Sequence, residues 1–304
     1  MLKKLLKSIP VKDDIQIIVV DDKSDEDHED WLELRDNKKF NHVEFYDNET
    51  DKKGAGVCRN IGLEKAKGEW LLFADSDDYF VDGFYDRIPG YFDSDVDVVF
   101  YKPTSVYADT GEKADRHETY AKLVDSYIAE PNNKNELELR YKYSVPWSKL
   151  IKRKLITENN IKFDEVIASN DVMFSTKVGY YLRDFEVDDS IIYCVTRNKG
   201  SLTVNMSEEV FDSRLNVSIN KIRFLKDKLN NDQLKDFHLA GQGYILSALQ
   251  YGFGFKKVLE VCTKLKNNNV SFFEYKLLNP VYLFEKIKSR YDTYKKRNKY
   301  FTKD

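Results

Sequence analysis

Residues 71–78 of this 304-residue chain read LLFADSDD, an apolar run that passes directly into an acidic one. Such a run is typical of a strand buried on both faces of an α/β sheet, where ligands bind beyond the carboxyl ends of the strands. The carboxylates of Asp75, Asp77 and Asp78 repel one another unless a cation or hydrogen-bond donors compensate, and hard oxygen ligands suit Mg²⁺ or Mn²⁺. The stretch therefore predicts a divalent metal site, with a solvated acidic turn that caps the next helix as the alternative.

A second, largely apolar run repeats this pattern earlier in the chain. Residues 15–20 read IQIIVV and are followed by Asp21 and Asp22. If both runs are strands of one parallel sheet, four carboxylates lie along one edge of that sheet. Capping of the following helix, for which Ser24 is also suited, is the alternative for these two acids.

Between the two acidic ends, residues 54–62 read GAGVCRNIG. Glycines that open a helix let backbone N–H groups approach a phosphate, and an arginine one turn later can pair with it. Gly54 and Arg59 are therefore candidates for binding a phosphorylated ligand. A plain helix start is the alternative, because the pattern alone is weak.

The order of apolar and amphipathic stretches predicts an α/β fold with a Rossmann-like, mostly parallel sheet and helices on both faces. We expect strands at residues 15–20, 43–46, 70–74, 96–101 and 190–195. We expect helices at residues 2–9, 31–36, 54–67, 145–156 and 171–182, and a loop-rich acceptor region at residues 104–135. Later helical patterns occur at residues 211–229, 233–251 and 256–266. The predicted organisation is one domain over residues 1–206 and a helical C-terminal region over residues 207–304.

Composition excludes several classes of protein. The net charge of -3 argues against nucleic acid as a partner. The scattered cysteines predict neither a disulfide framework nor a structural zinc site, and they are Cys58, Cys194 and Cys262. The histidines show no ligand spacing and are expected at the surface, and they are His28, His42, His117 and His238. Because no apolar run reaches the length of a membrane span, we expect a cytoplasmic protein.

Residues 17–24 (IIVVDDKS) and 54–78 (GAGVCRNIGLEKAKGEWLLFADSDD) together resemble glycosyltransferase family 2 in order and spacing. The resemblance covers roughly residues 1–205 and rests on three separate motifs. It implies a GT-A fold and an inverting transfer of a sugar from a nucleotide-sugar donor, most often a UDP-sugar, to an acceptor hydroxyl. It also implies Mn²⁺ or Mg²⁺ as the cofactor.

The resemblance assigns roles on the donor side by position. Asp22 corresponds to the residue that meets the nucleotide base, Arg59 to a donor contact, and Asp75 to a contact with the ribose or the sugar. Asp21 and Gly54 stand beside these donor-binding residues. Asp77 corresponds to the metal ligand. Arg197 and Ser201 resemble a later loop that closes over the donor.

The resemblance also implies a catalytic base and an acceptor contact. Asp171, within residues 168–174 (ASNDVMF), corresponds to the base, and Asn170 stands where the family usually has an acid. Helix N-capping is the alternative for Asp171. Trp147, within residues 145–150 (VPWSKL), corresponds to an aromatic residue that lines the acceptor pocket, with a place in the core as the alternative.

Family members normally begin with an apolar strand that ends in a Pro-x-Tyr-Asn-like turn, ahead of the helix predicted at residues 2–9. That strand is not found in this sequence, so we expect either a truncated chain or a sheet without an inner strand. The leading prediction is an inverting glycosyltransferase of polysaccharide biosynthesis. The alternatives are a nucleotidyltransferase, which also places acids beyond α/β strands, and a catalytically impaired relative that binds sugar nucleotides.

The C-terminal stretch, residues 282–304, interleaves basic and aromatic residues. This composition suits the anionic, interfacial layer of a membrane. It predicts peripheral contact with the inner face of the membrane, where a lipid-linked acceptor would be found. A solvated helix end or a partner-binding tail is the alternative.

Overall fold

The computed structural model describes residues 1–24, 29–197, 207–235, 237, 239–273 and 288. The chain divides into two compact units, Met1–Val217 and Ser218–Asp304. Both sheets belong to the first unit. The domain boundary predicted near residue 207 stays a prediction.

A small parallel sheet forms near the amino terminus. Its two strands are β1 (Ile17–Asp21) and β2 (Val43–Asp47). In the sequence, helix α1 (Leu2–Ser8) precedes β1, and helix α2 (Glu29–Arg35) lies between the strands. The two strands pair in parallel, with Ile17 opposite Val43. Leu6 of α1 and Leu34 of α2 are buried with these two residues in one apolar cluster. Each helix therefore covers the sheet with the apolar stripe that its sequence provides.

The main sheet has five strands and is mixed. They are β3 (Trp70–Leu71), β4 (Tyr79–Phe80), β5 (Val98–Tyr107), β6 (Lys149–Lys152) and β7 (Phe185–Arg197). The order across the sheet is β3-β6-β5-β7-β4, and β5 with β7 is its parallel pair. The predicted α/β class is confirmed, but the expectation of mostly parallel strands is wrong for this sheet, because three of its four strand pairs are antiparallel. The expectation that the two acid-ended strands share one sheet is wrong, because β1 pairs with β2 and β3 pairs with β6.

Five further helices, and the start of a sixth given below, belong to the first unit. They are α3 (Ala55–Lys65), α4 (Glu118–Ala129), α5 (Asn133–Lys142), α6 (Arg153–Glu158) and α7 (Asn170–Tyr181). Phe100 and Ile151 of neighbouring strands are buried in the same core as Phe174 of α7. The ring of Phe163 stacks on that of Phe174 with 3.8 Å between centroids. This aromatic packing fixes α7 against the sheet.

Two predicted stretches are wrong. The loop expected at residues 104–135 contains the end of β5, helix α4 and the start of α5. Helix α4 was missed because it is a short segment within a mostly polar stretch, although Tyr120, Val124 and Tyr127 recur at helical spacing. The helix expected at residues 145–156 is replaced by β6 and α6. Leu150 and Ile151 are both buried, as happens in a strand covered on both faces.

The remaining helices are α8 (Glu208–Lys228), α9 (Asn231–Leu234), α10 (Gln242–Gln250) and α11 (Gly254–Asn267). The single helix predicted at residues 233–251 is wrong, since α9 and α10 divide it. Gly241 precedes α10, and a Cβ added there would lie 2.2 Å from Cδ1 of Leu265. Glycine thus permits the close packing of α10 on α11. No helix in the described ranges is long and apolar enough to cross a membrane.

Candidate active site

The carboxylate turn, residues 75–78, follows β3 and leads into β4. Phe73 anchors its approach, with its ring edge-on to that of Phe163 at 5.2 Å. The N–H of Asp78 donates to the backbone oxygen of Asp75 at 3.0 Å, which closes the turn. The turn is therefore a defined structure and not a solvated acidic loop.

Asp78 is the buried member of the carboxylate turn, with 3% of its surface exposed. Its Oδ2 accepts from the hydroxyl of Tyr193 at 2.9 Å, and its Oδ1 accepts from the N–H of Thr196 at 2.7 Å. Burial raises the pKa of Asp78 to about 7, against the opposing effect of the Thr196 and Tyr193 hydrogen bonds. Asp78 thus ties the turn to β7, whereas Asp77 beside it is partly exposed.

Arg59 connects the carboxylate turn to helix α7. Its Nη1 donates to Oδ1 of Asn170 at 2.6 Å, and its Nη2 forms an ion pair with Oδ1 of Asp75. The guanidinium carbon also lies 5.4 Å from the ring centroid of Phe163. The planar fork of arginine can serve both partners at once, which an ammonium group cannot do with the same geometry. Three of the sequence motifs therefore meet at one guanidinium.

Asp171 lies in the first turn of α7, directly after Asn170. The N-cap of that helix is Ser169, whose φ is 62°, so the capping position does not belong to Asp171. Burial raises the pKa of Asp171 above its usual 3.8, while the cation of Arg59 opposes the rise. A carboxylate with a raised pKa is better suited to take a proton than a fully solvated one.

The glycines that open α3 allow two close approaches. Gly54, with φ of 129°, donates its N–H to Oδ2 of Asp22 at 2.8 Å. At Gly56 an added Cβ would lie 2.2 Å from the backbone oxygen of Asp164. Contacts within the protein itself therefore explain why glycine occupies both positions. The phosphate contact suggested for Gly54 stays a prediction.

The acidic pair after β1 is held by nearby polar groups. Oδ1 of Asp22 accepts from Nδ2 of Asn48 at 2.9 Å. Asp21 accepts from both the N–H and the hydroxyl of Ser24, at 2.8 Å and 2.6 Å. Helix α3 joins this pair to the carboxylate turn, because its start binds Asp22 and its Arg59 binds the turn. The nucleotide contacts of Asp21 and Asp22 stay predictions.

Trp147 lies in the core, with 2% of its surface exposed. Its ring stacks on that of Tyr193 at 5.7 Å and stands edge-on to Tyr120 at 5.1 Å. The observed place is the core position weighed above as the alternative, and the acceptor contact stays a prediction. Arg197, at the end of β7, forms an ion pair with Asp115. Ser201 lies outside the described residues.

One histidine expected at the surface is buried. His117 is 7% exposed, and its Nδ1 lies 2.7 Å from the hydroxyl oxygen of Ser105. Burial lowers the pKa of His117, with Lys113 acting in the same direction. His28 and His238 lie outside the described residues.

Sequence reasoning missed Tyr193, which contacts both ends of the carboxylate turn. Its hydroxyl accepts from the N–H of Asp75 at 2.8 Å and donates to Asp78. In the sequence it is one aromatic residue of a predicted strand. The sequence gives a general indication of this role. The hydroxyl of a buried tyrosine needs a polar partner, so a tyrosine in a core strand indicates that such a partner lies nearby.

The family of the chain follows from its similarity to known proteins. Residues 1–159 match Glycosyl transferase family 2, and the chain belongs to that family. This confirms the family that the motifs implied.

Three relatives illustrate how far the similarity extends. EpsH of Bacillus subtilis (strain 168) is 23% identical over 235 residues, which are 74% of this chain and 64% of that protein. Poly(ribitol-phosphate) beta-glucosyltransferase of Bacillus spizizenii is 29% identical over 216 residues, 67% of this chain and 31% of that protein. Poly(ribitol-phosphate) beta-N-acetylglucosaminyltransferase TarS of Staphylococcus aureus is 27% identical over 212 residues, 66% of this chain and 33% of that protein. The chain thus spans less than two thirds of each relative's length.

Solved structures agree on the fold. The crystal structure of S. aureus TarS 1–349 in complex with UDP-GlcNAc superposes with a TM-score of 0.61 and 20% identity, over 88% of this chain and 76% of that one. The complex of the same protein with UDP has a TM-score of 0.54 and 23% identity, over 81% and 70% of the two chains. At this identity the likeness concerns the fold alone, and it confirms the GT-A expectation.

Proposed function

We propose that this chain transfers a sugar, with inversion, from a nucleotide-sugar donor to the hydroxyl of a glycan or lipid-linked acceptor in polysaccharide biosynthesis. The observation that carries the proposal is the junction at Arg59, which joins Asp75 on the donor side to Asn170, next to Asp171. A UDP-sugar is the first candidate donor, because the TarS structures hold UDP-GlcNAc and UDP. Two relatives are named for acting on poly(ribitol-phosphate), a polymer with free hydroxyls.

In this proposal Asp171 is the general base. It removes the proton of the acceptor hydroxyl while the oxygen attacks the anomeric carbon of the donor sugar. The bond from that carbon to the nucleoside diphosphate breaks on the opposite side, which inverts the configuration. Arg59 keeps the start of α7 beside the donor side through its bond to Asn170. Alignment of this kind is what makes an in-line displacement fast.

We propose that Asp77 binds Mn²⁺ or Mg²⁺ together with the donor diphosphate. The described residues contain no ready cluster of three or more His, Cys, Asp or Glu ligands. The carboxylate of Asp77 nevertheless suits these ions, since Mg²⁺ is often held by one or two carboxylates, and substrate phosphates then complete its coordination. Asp77 is partly exposed, whereas Asp78 is buried against β7. Such an ion, when held by Asp77, would neutralise charge on the departing diphosphate.

The remaining donor contacts belong to the same proposal. Asp22, with Asp21 beside it, meets the nucleotide base, and Gly54 lies at the start of the helix between the base and the diphosphate. Arg197, at the end of β7, and Ser201, outside the described residues, are assigned to the loop that closes over the donor. Trp147 supports the acceptor side. Each of these roles rests on position in the family motifs and on the fold.

The decisive experiment is incubation of the protein with Mn²⁺ and a panel of UDP-, GDP- and TDP-sugars, with and without poly(ribitol-phosphate) as acceptor. Acceptor-dependent release of a nucleoside diphosphate supports the proposal. In a parallel incubation with a nucleoside triphosphate and a sugar phosphate, release of pyrophosphate would instead support a nucleotidyltransferase. Binding in a thermal-shift assay without turnover would support a catalytically impaired relative.

We also propose that the chain works in the cytoplasm at the inner membrane face, through its basic and aromatic tail. Apart from residue 288 the tail lies outside the described residues, so the support comes from its composition alone. Each basic residue near an anionic surface contributes about 1 kcal/mol. Co-sedimentation of the full chain and of Lys295→Gln/Lys296→Gln/Arg297→Gln with anionic and neutral vesicles tests this. Equal sedimentation of both proteins with anionic vesicles at low salt would exclude the tail as the contact.

A further inference from the structure

The carboxylate turn is hydrogen-bonded to the hydroxyl of one buried tyrosine, Tyr193. Tyr193 of β7 is completely buried, and its hydroxyl makes two hydrogen bonds to the turn. It accepts from the N–H of Asp75 at 2.8 Å and donates to Oδ2 of Asp78 at 2.9 Å. One hydroxyl thus fixes the first and the last residue of the turn, and Asp77 lies between them.

The tyrosine ring has little freedom to move. It stacks on the ring of Trp147 at 5.7 Å with an interplanar angle of 17°, and the ring of Phe80 stands edge-on at 5.4 Å. Phe80 and Tyr193 are also opposite one another in the β4–β7 ladder. The hydroxyl is therefore presented by a rigid strand and two aromatic neighbours, which is the kind of support that keeps a site in a fixed geometry.

The second attachment of the turn strengthens the first. Oδ1 of Asp78 accepts from the N–H of Thr196 at 2.7 Å, three residues beyond Tyr193 on the same strand. A buried carboxylate that loses one of two donors keeps the cost of its desolvation without full compensation. Removal of the tyrosine hydroxyl should therefore displace Asp78 and release the amide of Asp75 at once.

We propose that Tyr193 is a positioning residue for sugar transfer, which acts by holding Asp75 and Asp77 in the arrangement that the donor and its metal ion require. The inference rests on the proposed function. Tyr193 itself is buried beneath the turn and contacts the reacting groups only through Asp75 and Asp78. Its effect must therefore appear in the order of the turn as well as in the rate.

The chain provides a matched control. Tyr143 is also completely buried, and its hydroxyl donates to the backbone oxygen of Tyr101 at 3.0 Å. Its ring lies 6.4 Å from that of Trp147, in the same aromatic region. Tyr143→Phe and Tyr193→Phe each delete one buried hydroxyl and keep the ring, but only the second variant disconnects the carboxylate turn.

The test compares amide hydrogen exchange and sugar-nucleotide turnover in the two variants. We expect residues 75–78 to exchange roughly tenfold or more faster in Tyr193→Phe than in Tyr143→Phe, since the two lost buried hydrogen bonds together are worth about 1.4 kcal/mol or more, which is a factor of ten. We expect kcat with Mn²⁺ to fall by a similar factor in Tyr193→Phe alone. Asp78→Ala, which removes the carboxylate that accepts from Tyr193, should reproduce both effects if Tyr193→Phe folds poorly.

Two results would overturn the inference: equal exchange over residues 75–78 in both phenylalanine variants, or equal kcat in both. A wild-type protein without any transfer would count against the proposed function instead. In that case the exchange comparison still decides whether Tyr193 orders the turn.

Discussion

The acidic residues that end β1 and those that follow β3 look alike in sequence but are held in different ways. Asp21 binds Ser24, three residues away, and Asp22 binds the side chain of Asn48. Asp75 and Asp78 are held instead by Arg59 and Tyr193, from a different helix and a different strand. The first pair is bound by groups at most 32 residues away, whereas the second is also bound by Tyr193, which lies 118 residues from Asp75 and 115 from Asp78. The second group is therefore the one that tertiary changes should disturb most.

The largest effect should come from Asp171→Asn, because Asp171 follows Asn170, which Arg59 links to the carboxylate turn. Loss of a general base typically lowers the rate roughly 10²–10⁴-fold, while donor binding is retained because the amide keeps the shape of the side chain. Turnover and UDP binding by calorimetry measure the two quantities separately. A variant with a normal rate and a lowered melting temperature would assign Asp171 to helix stability instead.

Asp77→Asn should be nearly as severe. It replaces a charged oxygen ligand by an amide, and metal stabilisation of a leaving diphosphate is worth several kcal/mol, or about a hundredfold or more in rate. The rate is measured against Mn²⁺ concentration, with circular dichroism as the check on folding. Full activity at saturating Mn²⁺ would remove Asp77 from the metal site.

Arg59→Lys sharpens the comparison by breaking the junction between motifs. An ammonium cannot bind Asp75 and Asn170 in the same fork geometry, and misplacement by about 1 Å can cost roughly a hundredfold in rate. The matched control is Arg35→Lys, whose partner Asp47 lies 3.0 Å away in an exposed pair on the β1–β2 side. Exposed pairs contribute about 0–1 kcal/mol, so this control should keep its activity. Equal losses in both variants would show that the junction has no special role.

Gly56→Ala tests whether the start of α3 must pack closely against the backbone of Asp164 in order to join the two acidic regions. The added Cβ would lie 2.2 Å from the backbone oxygen of Asp164, so we expect a loss of about 1–3 kcal/mol in the free energy of unfolding. Gly62→Ala is the control, because its Cβ meets nothing within 4 Å and alanine favours a helix by about 0.5–1 kcal/mol. Urea unfolding of both variants should show changes of opposite sign.

The smallest effect concerns pH. Burial raises the pKa of Asp171 above 3.8, so the acidic limb of the kcat profile should lie above the ordinary range of an aspartate. Activity is present when Asp171 is ionised and is lost as the pH falls through this raised pKa. Arg59 favours the ionised form, so Arg59→Met should move the limb to higher pH. Identical profiles would mean that another group provides the limb.

Much of the candidate site was predictable because it follows apolar runs. The stretch LLFADSDD places carboxylates after a strand, and the start of α3 and of α7 were also expected from their sequences. The loop predicted at residues 104–135 failed because the polar residues on both sides of α4 outweighed the helical spacing of Tyr120, Val124 and Tyr127. The helix predicted at residues 145–156 failed because two adjacent apolar residues suit either a helix or a doubly covered strand.

The amino-acid sequence by itself determined the α/β class, the motif order and the identity of the acidic, glycine and arginine residues at the candidate site, since these depend on local periodicity and residue chemistry. Only the tertiary structure decided that β1 and β3 belong to different sheets and that Arg59 bridges Asp75 and Asn170. It alone brought Tyr193 beneath the carboxylate turn, 118 residues from the backbone amide it accepts from. Such contacts form because packing of the core brings distant segments together, and no local pattern encodes which polar groups then meet.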